Sequence, residues 1–400
     1  MQHWNRNRPR PRGAASSVRL GLVVPAVAAV LAAAGVTWAT GDDAPERDDW
    51  SELETGEEVY GAACATCHGA DGTGAPRQML GFETPVPDFT DCSFASREPH
   101  GDWYAIAHEG GPTRGFAEMM PAFGGALTDE QLSMAAAHVK GFCTDDNWPD
   151  GDFNVPRALV TGKAYLEDEY VWEMSSTVDE PVSIQLQFVA EKRLGERNQV
   201  ELILPVGVQQ VERTAADGST SLRWGEGLGD LGLAWKGAIW HSHRLGTIGT
   251  LGGEVFFPVG DEADGFSDGI FRFEPFLAIA QLIPGDNFVQ LHGGAELSTD
   301  LDVAPHELFW RGALGHTFTQ GRFGRAWSPM IEVLGVTELE GGYPVDWSVV
   351  PELHVALNTR QHVMLVLGAE IPVTRFDDRQ ITAMVHLLWD WFDGGFFEGW

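Results

Sequence analysis

The sequence predicts two domains: a small all-α domain, then an all-β antiparallel transmembrane barrel of about 12 strands. Three observations lead there. A C-x-x-C-H motif sits at residues 64–68 within helix-patterned sequence. From Ser183 onward the apolar pattern takes a period of two, the period of strands. The composition holds 48 Gly and 15 Trp at a mean hydropathy of −0.13, which suits turns and aromatic anchors and argues against a multi-span helical membrane protein. The chain's 400 residues exceed one ordinary domain. Its 26 basic and 58 acidic residues give a net charge of −32, a poor match to a phosphate backbone, so no nucleic acid partner is expected.

The first element is an export signal at residues 1–39. Arg6, Arg8, Arg10, Arg12 and Arg19 precede an uncharged run from Leu20 to Ala39, then acids follow in a linker over 40–50. Basic, apolar, small and then acidic is the order of a secretory signal peptide, with an uncleaved anchor as the alternative. Its removal takes five arginines and leaves a charge of −37.

Residues 51–146 form the second element. Cys64-Ala65-Thr66-Cys67-His68 has the spacing that attaches c-type haem. Two thiols three residues apart on a helical turn match the two vinyl groups on one porphyrin edge, and His68 follows as proximal iron ligand. Residues 52–63 suit a helix with Val59 and Tyr60 on one face. Gly69, Gly72 and Gly74 let the chain turn closely behind the motif, and a carbonyl near Pro85 and Pro87 is expected on the second nitrogen of His68. Thr128 and Gln131 make a capping box for a last helix whose Leu132, Ala135, Ala136 and Val139 repeat at helical spacing. A methionine loop, Met119-Met120-Pro121, lies just before it, where a distal thioether ligand belongs.

CATCHG, the MPAFG loop and the last helix together resemble class I c-type cytochromes over about residues 50–145. The resemblance implies one covalently bound haem c on Cys64 and Cys67, with His68 and Met120 as axial iron ligands. Met120 is carried over because it directly precedes Pro121. Met79, Met119, His100 and His108 stay open as sixth ligands. Cys92 and Cys143 remain, and in an oxidising compartment a disulfide between them is the economical reading, with two inert thiols as the alternative.

Residues 147–175 read as a linker holding a possible first strand within Ala164 to Thr177, and residues 176–400 as the barrel. Eleven alternating segments run from Ser183–Glu191 to Ile381–Trp389, so the linker strand would make the number even. One face of these segments is polar, with Glu201, Glu254, Arg272, Glu274, His292, Glu296, Arg311, Glu332, Glu352, His354, Glu370 and His386. A wet lumen takes such a face, and a packed sandwich does not. Trp240, Trp310, Trp327, Trp347, Trp389 and Trp391 fall near segment ends as interfacial girdles do, and the chain closes on Trp400.

GEGLGDLGLAWK, residues 225–236, resembles outer-membrane channels of Gram-negative bacteria. The whole chain resembles cytochrome–porin fusions, which iron-oxidising bacteria use to pass electrons inward from external Fe(II). That resemblance implies an outer-membrane electron-transfer protein whose partners are outer-membrane lipid, a periplasmic redox protein with a basic surface, and Fe(II) or another small donor. A folded domain ~26 Å across is too wide for such a barrel and is expected at its periplasmic mouth. The alternative is an outer-membrane solute channel with a haem domain that gates, plugs or senses. An electron carrier fits the methionine loop better than a catalytic enzyme, which needs an open iron position.

Overall fold

The computed structural model describes residues 50–214 and 218–391. The expected signal peptide, the expected linker up to residue 49 and Trp400 lie outside the described residues.

The helical domain contains α1 (Gly56–Ala63), α2 (Ala65–His68), α3 (Arg77–Leu80), α4 (Cys92–Ala95), α5 (His100–Glu109) and α6 (Asp129–Lys140). The Thr128–Gln131 capping box opens α6, and a second box, Thr55 with Glu58, opens α1. Each satisfies two amide donors that the first helical turn leaves free. Gln131 also donates through Nε2 to the carbonyls of Trp50 (2.8 Å) and Leu53 (3.1 Å), tying the start of the domain to α6. The two helices cross at Gly56, where a Cβ would run into the Met134 carbonyl. Val59, Leu127, Leu132 and Ala135 pack as one core, while Tyr60, Phe89 and Val139 form a second one. A disulfide joins Cys92 to Cys143 across 51 residues and ties α4 to the chain beyond α6.

The strands are β1 (Glu169–Thr177), β2 (Ser183–Leu194), β3 (Asn198–Thr214), β4 (Thr220–Leu228), β5 (Leu231–Ser242), β6 (Thr247–Phe257) and β7 (Arg272–Ile283). They continue as β8 (Asn287–Ser298), β9 (Glu307–His316), β10 (Phe318–Thr319), β11 (Ala326–Glu338), β12 (Asp346–Ala356), β13 (Val363–Pro372) and β14 (Thr382–Asp390). All but β4 and β10 form a closed antiparallel ring of 12 strands, in which β14 returns to β1 from Glu169↔Asp390 to Thr177↔Thr382. The inner part of β3 pairs with β5 and its outer part with β4, so β3 and β4 run on together as a hairpin past the ring. The 225–236 motif straddles the break between β4 and β5.

Burial along the strands is inverted relative to a soluble protein. In β1, Glu169, Glu173, Ser175 and Thr177 are buried, while Trp172 and Met174 are 47% and 43% exposed. In β11, Ser328 and Glu332 are buried while Ile331 and Val333 face out. Polar inside and apolar outside is stable only with lipid around the ring, where closure also leaves no strand edge unpaired. Trp240, Trp327 and Trp389 lie near one rim; Trp310 and Trp347, with ring centroids 5.6 Å apart, lie near the other. Trp391, just past β14, is buried: its amide donates to the Asp168 carbonyl, and its ring stacks on Tyr170, on the face of β1 that also carries Trp172.

Turns 195–197, 243–246 and 284–286 close one rim together with the longer links 317–325 and 357–362, and 178–182, 258–271, 299–306, 339–345 and 373–381 lie at the other. The helical domain sits on the short-turn rim. Arg97 pairs with Asp168 at 3.1 Å, Glu98 lies 3.2 Å from His362, and Arg114 donates to the Phe323 carbonyl at 2.6 Å. Arg322 reaches back to Tyr104 and Asp129. The segment between the two domains does more than connect them, because much of residues 155–168 is buried within the ring.

Candidate haem site

Cys64 ends α1 and opens α2. Its carbonyl accepts from the amides of Cys67 (3.1 Å) and His68 (3.0 Å), so two thiols and one imidazole share a single helical turn. Both cysteines are half-buried and free of disulfides. Burial, with Cys67 adding to it, pushes the Cys64 thiol up to about 11. Burial also lowers the His68 imidazole, which favours the neutral form that ligates metal.

The chain behind the motif folds back tightly. Gly69, Gly72 and Gly74 have φ of 74°, 79° and 86°, and a Cβ on Gly72 would strike the Phe142 ring. The return is held by bonds from Gly74 to the His68 carbonyl and from Ala75 to the Cys67 carbonyl, both 2.9 Å. The Phe89 amide donates to Gly72, and the Phe89 ring stacks on His68 with centroids 4.8 Å apart. Buried Tyr60 donates its hydroxyl to the Gly69 carbonyl at 2.6 Å. Among the described residues no group bonds Nδ1 of His68, which is buried and unpartnered, so the expected carbonyl near Pro85 and Pro87 is not on it.

The methionine loop is pinned to the end of α5. Gly111 donates to the Met120 carbonyl (3.0 Å), Phe123 to Ala107 (3.1 Å) and Gly124 to His108 (2.9 Å). Met120 is half-buried, whereas Met119 and Met79 are 53% and 77% exposed. His100 lies 3.2 Å from Ser133 through Nε2, and His108 sits against Glu109 and Asp129. The structure thus gathers Cys64, Cys67 and His68 and places Met120 on a separate loop. Among the described residues no hydrogen bond joins Met120 to His68. Two free thiols and an imidazole with an unpartnered buried nitrogen fit a haem in donor type and order.

A second cluster was not anticipated from the sequence. Carboxylate oxygens of Glu167, Glu169 and Glu191 come within 4.8 Å of one another. Arg157 fills their centre, touching Glu169 and reaching Glu191 at 2.7 Å, so the group is an ion cluster already supplied with its cation. The acids are visible in the sequence, but nothing there marks Arg157 as their partner.

The class of protein is now defined: a cytochrome domain joined to a closed outer-membrane-type barrel, and the cytochrome domain implies haem. Residues 51–139 match the family model described as cytochrome c oxidase, cbb3-type, subunit III. No curated protein matches the chain. Among solved structures, the KdgM porin aligns at 10% identity over 56% of this chain and 98% of its own, with a TM-score of 0.36. The NanC porin gives 6%, 55%, 98% and 0.38, and an outer membrane channel from Pseudomonas putida F1 gives 12%, 55%, 93% and 0.39. These scores are too low to carry an inference, and the barrel rests on its own closed strand pairing.

Proposed function

We propose that the protein is a single-haem electron carrier of the Gram-negative outer membrane, with its haem domain on the periplasmic side. The observation that carries this reading is the Cys64–Cys67–His68 turn on a domain seated at the short-turn rim. Barrels of this kind usually keep short turns in the periplasm. Cys64 and Cys67 would hold the haem covalently, and His68 and Met120 would hold its iron. When bound, the haem would supply a one-electron couple, and a methionine together with a histidine as its iron ligands would raise its potential relative to two histidines. Phe89 fixes the plane of the His68 ring, and the Tyr60 hydroxyl steadies the backbone beneath it.

The carrier relays electrons between a periplasmic redox protein and the barrel or cell exterior, with Fe(II) as a candidate external donor. The chain's net charge of −32 favours a partner with a basic surface. Comparing Fe(II) oxidation by intact cells with and without the protein tests the donor. A protein-dependent rate supports Fe(II), and equal rates remove it while leaving electron transfer to another donor in place.

A further inference from the structure

The segment between the two domains enters the barrel and is gripped there along its length. Four successive backbone amides are bound by the wall. Leu159 donates to Glu352 at 2.8 Å, Val160 to Glu332 at 3.0 Å, Thr161 to the other Glu332 oxygen, and Gly162 to Nδ1 of His292 at 3.1 Å. The segment's carbonyls are met as well. Gln290 donates to Pro156 at 2.9 Å, Arg311 to Val160 at 3.2 Å, and Thr250 to Ala164. These partners come from β6, β8, β9, β11 and β12, so the grip extends around much of the ring.

Packing completes it. Leu159, Ala164, Tyr165 and Leu166 are buried in one cluster with inward Ile203, Ile248, Val366 and Leu388. Gly368 leaves room for Leu159, since a Cβ there would strike its side chain. Seven backbone groups of the segment thus receive a side-chain partner from the wall, which is what an ordered segment inside a lumen requires. The end of the segment that leads into β1 is anchored too, by Tyr165 on the Ser96 carbonyl and Asp168 on Arg97 of the helical domain.

We propose that residues 155–168 are an in-built plug that keeps the barrel shut to solutes, with Glu332 and Glu352 as the residues that hold it. The barrel is then a sealed membrane seat for the haem domain, and solutes pass only if the plug is released. This goes beyond electron transfer, and its test does not depend on the haem.

The test is swelling of liposomes containing the full chain in small neutral sugars, together with the reactivity of a Thr161→Cys variant toward a membrane-impermeant thiol reagent. Thr161 is 1% exposed, so the new thiol is shielded as long as the plug is seated. The wild-type chain is expected to swell no faster than empty liposomes, and the Thr161→Cys thiol to stay unmodified. In Glu332→Ala/Glu352→Ala, with folding checked by heat-modifiable migration, swelling appears and the added thiol reacts. Sugar entry through the wild-type chain overturns the proposal, and so does a folded double variant as tight as the wild type. If the double variant does not fold, the thiol alone decides: labelling of Thr161→Cys in the otherwise wild-type chain overturns the plug, and protection supports it.

Discussion

His68 and Met120 illustrate what single residues disclose. The C-x-x-C-H spacing made Cys64, Cys67 and His68 legible because the chemistry lies within one helical turn. Met120 is singled out only by its loop and neighbouring proline, since a proposed ligand distant in sequence leaves no local spacing. Replacing Met120 with Ala should abolish the methionine–iron signal of the low-spin spectrum while haem stays attached, and Met119→Ala should keep it. Asp102 allows a pH prediction. Burial, reinforced by Glu98 and opposed by Arg114, raises its carboxyl to about 6. The folded chain therefore keeps a proton that the unfolded chain, with an ordinary carboxyl near ~3.9, has released. The sign follows: this contribution to stability falls as pH rises from about 4 to about 6 and is flat above. Thermal melting of Asp102→Asn against pH should lose that slope.

At the scale of elements, period and caps carried most of the information. All eleven alternating segments became ring strands, and the Thr128–Gln131 box opened α6, because periodicity and capping are local properties of sequence. β4 was missed because its pairing depends on β3 running past the ring, which is a property of the partner strand. The plug was missed for a related reason. Residues 155–168 show no strand alternation, and the wall residues that hold them lie up to 193 positions away. The disulfide between α4 and the end of α6 closes 51 residues, which corresponds to about 4 kcal/mol of loop entropy. Cys92→Ser/Cys143→Ser should lower the stability of the helical domain by up to that amount, measured as a shift of its denaturant midpoint in the full chain, with the barrel transition unmoved.

Across the whole molecule, two domains with opposite surface logic share one rim. The helical domain buries its apolar residues, the barrel exposes its own, and the boundary between them is polar. Arg114 is central to that boundary: 5% exposed, it joins Asp102 at 2.6 Å to the Phe323 carbonyl of the barrel at 2.6 Å. Its replacement by Ala should cost about 2 to 3 kcal/mol of docking, the worth of charge-assisted hydrogen bonds. Limited proteolysis should then cut the helical domain faster while the barrel resists as before. The −32 charge of the chain lies on a protein with a membrane-type barrel. Salt should accordingly slow its reaction with a basic redox protein.

The central claim is one covalently held, redox-active haem on the single C-x-x-C-H turn of a helical domain joined to a membrane barrel. The most direct measurement is a haem-to-protein ratio on the denatured full chain, taken beside reduced and oxidised spectra of the native one. The account predicts one haem per chain that survives denaturation, reversible low-spin spectra, and no attached haem in Cys64→Ala/Cys67→Ala. A wild-type chain that carries no haem, or releases it on denaturation, would contradict it.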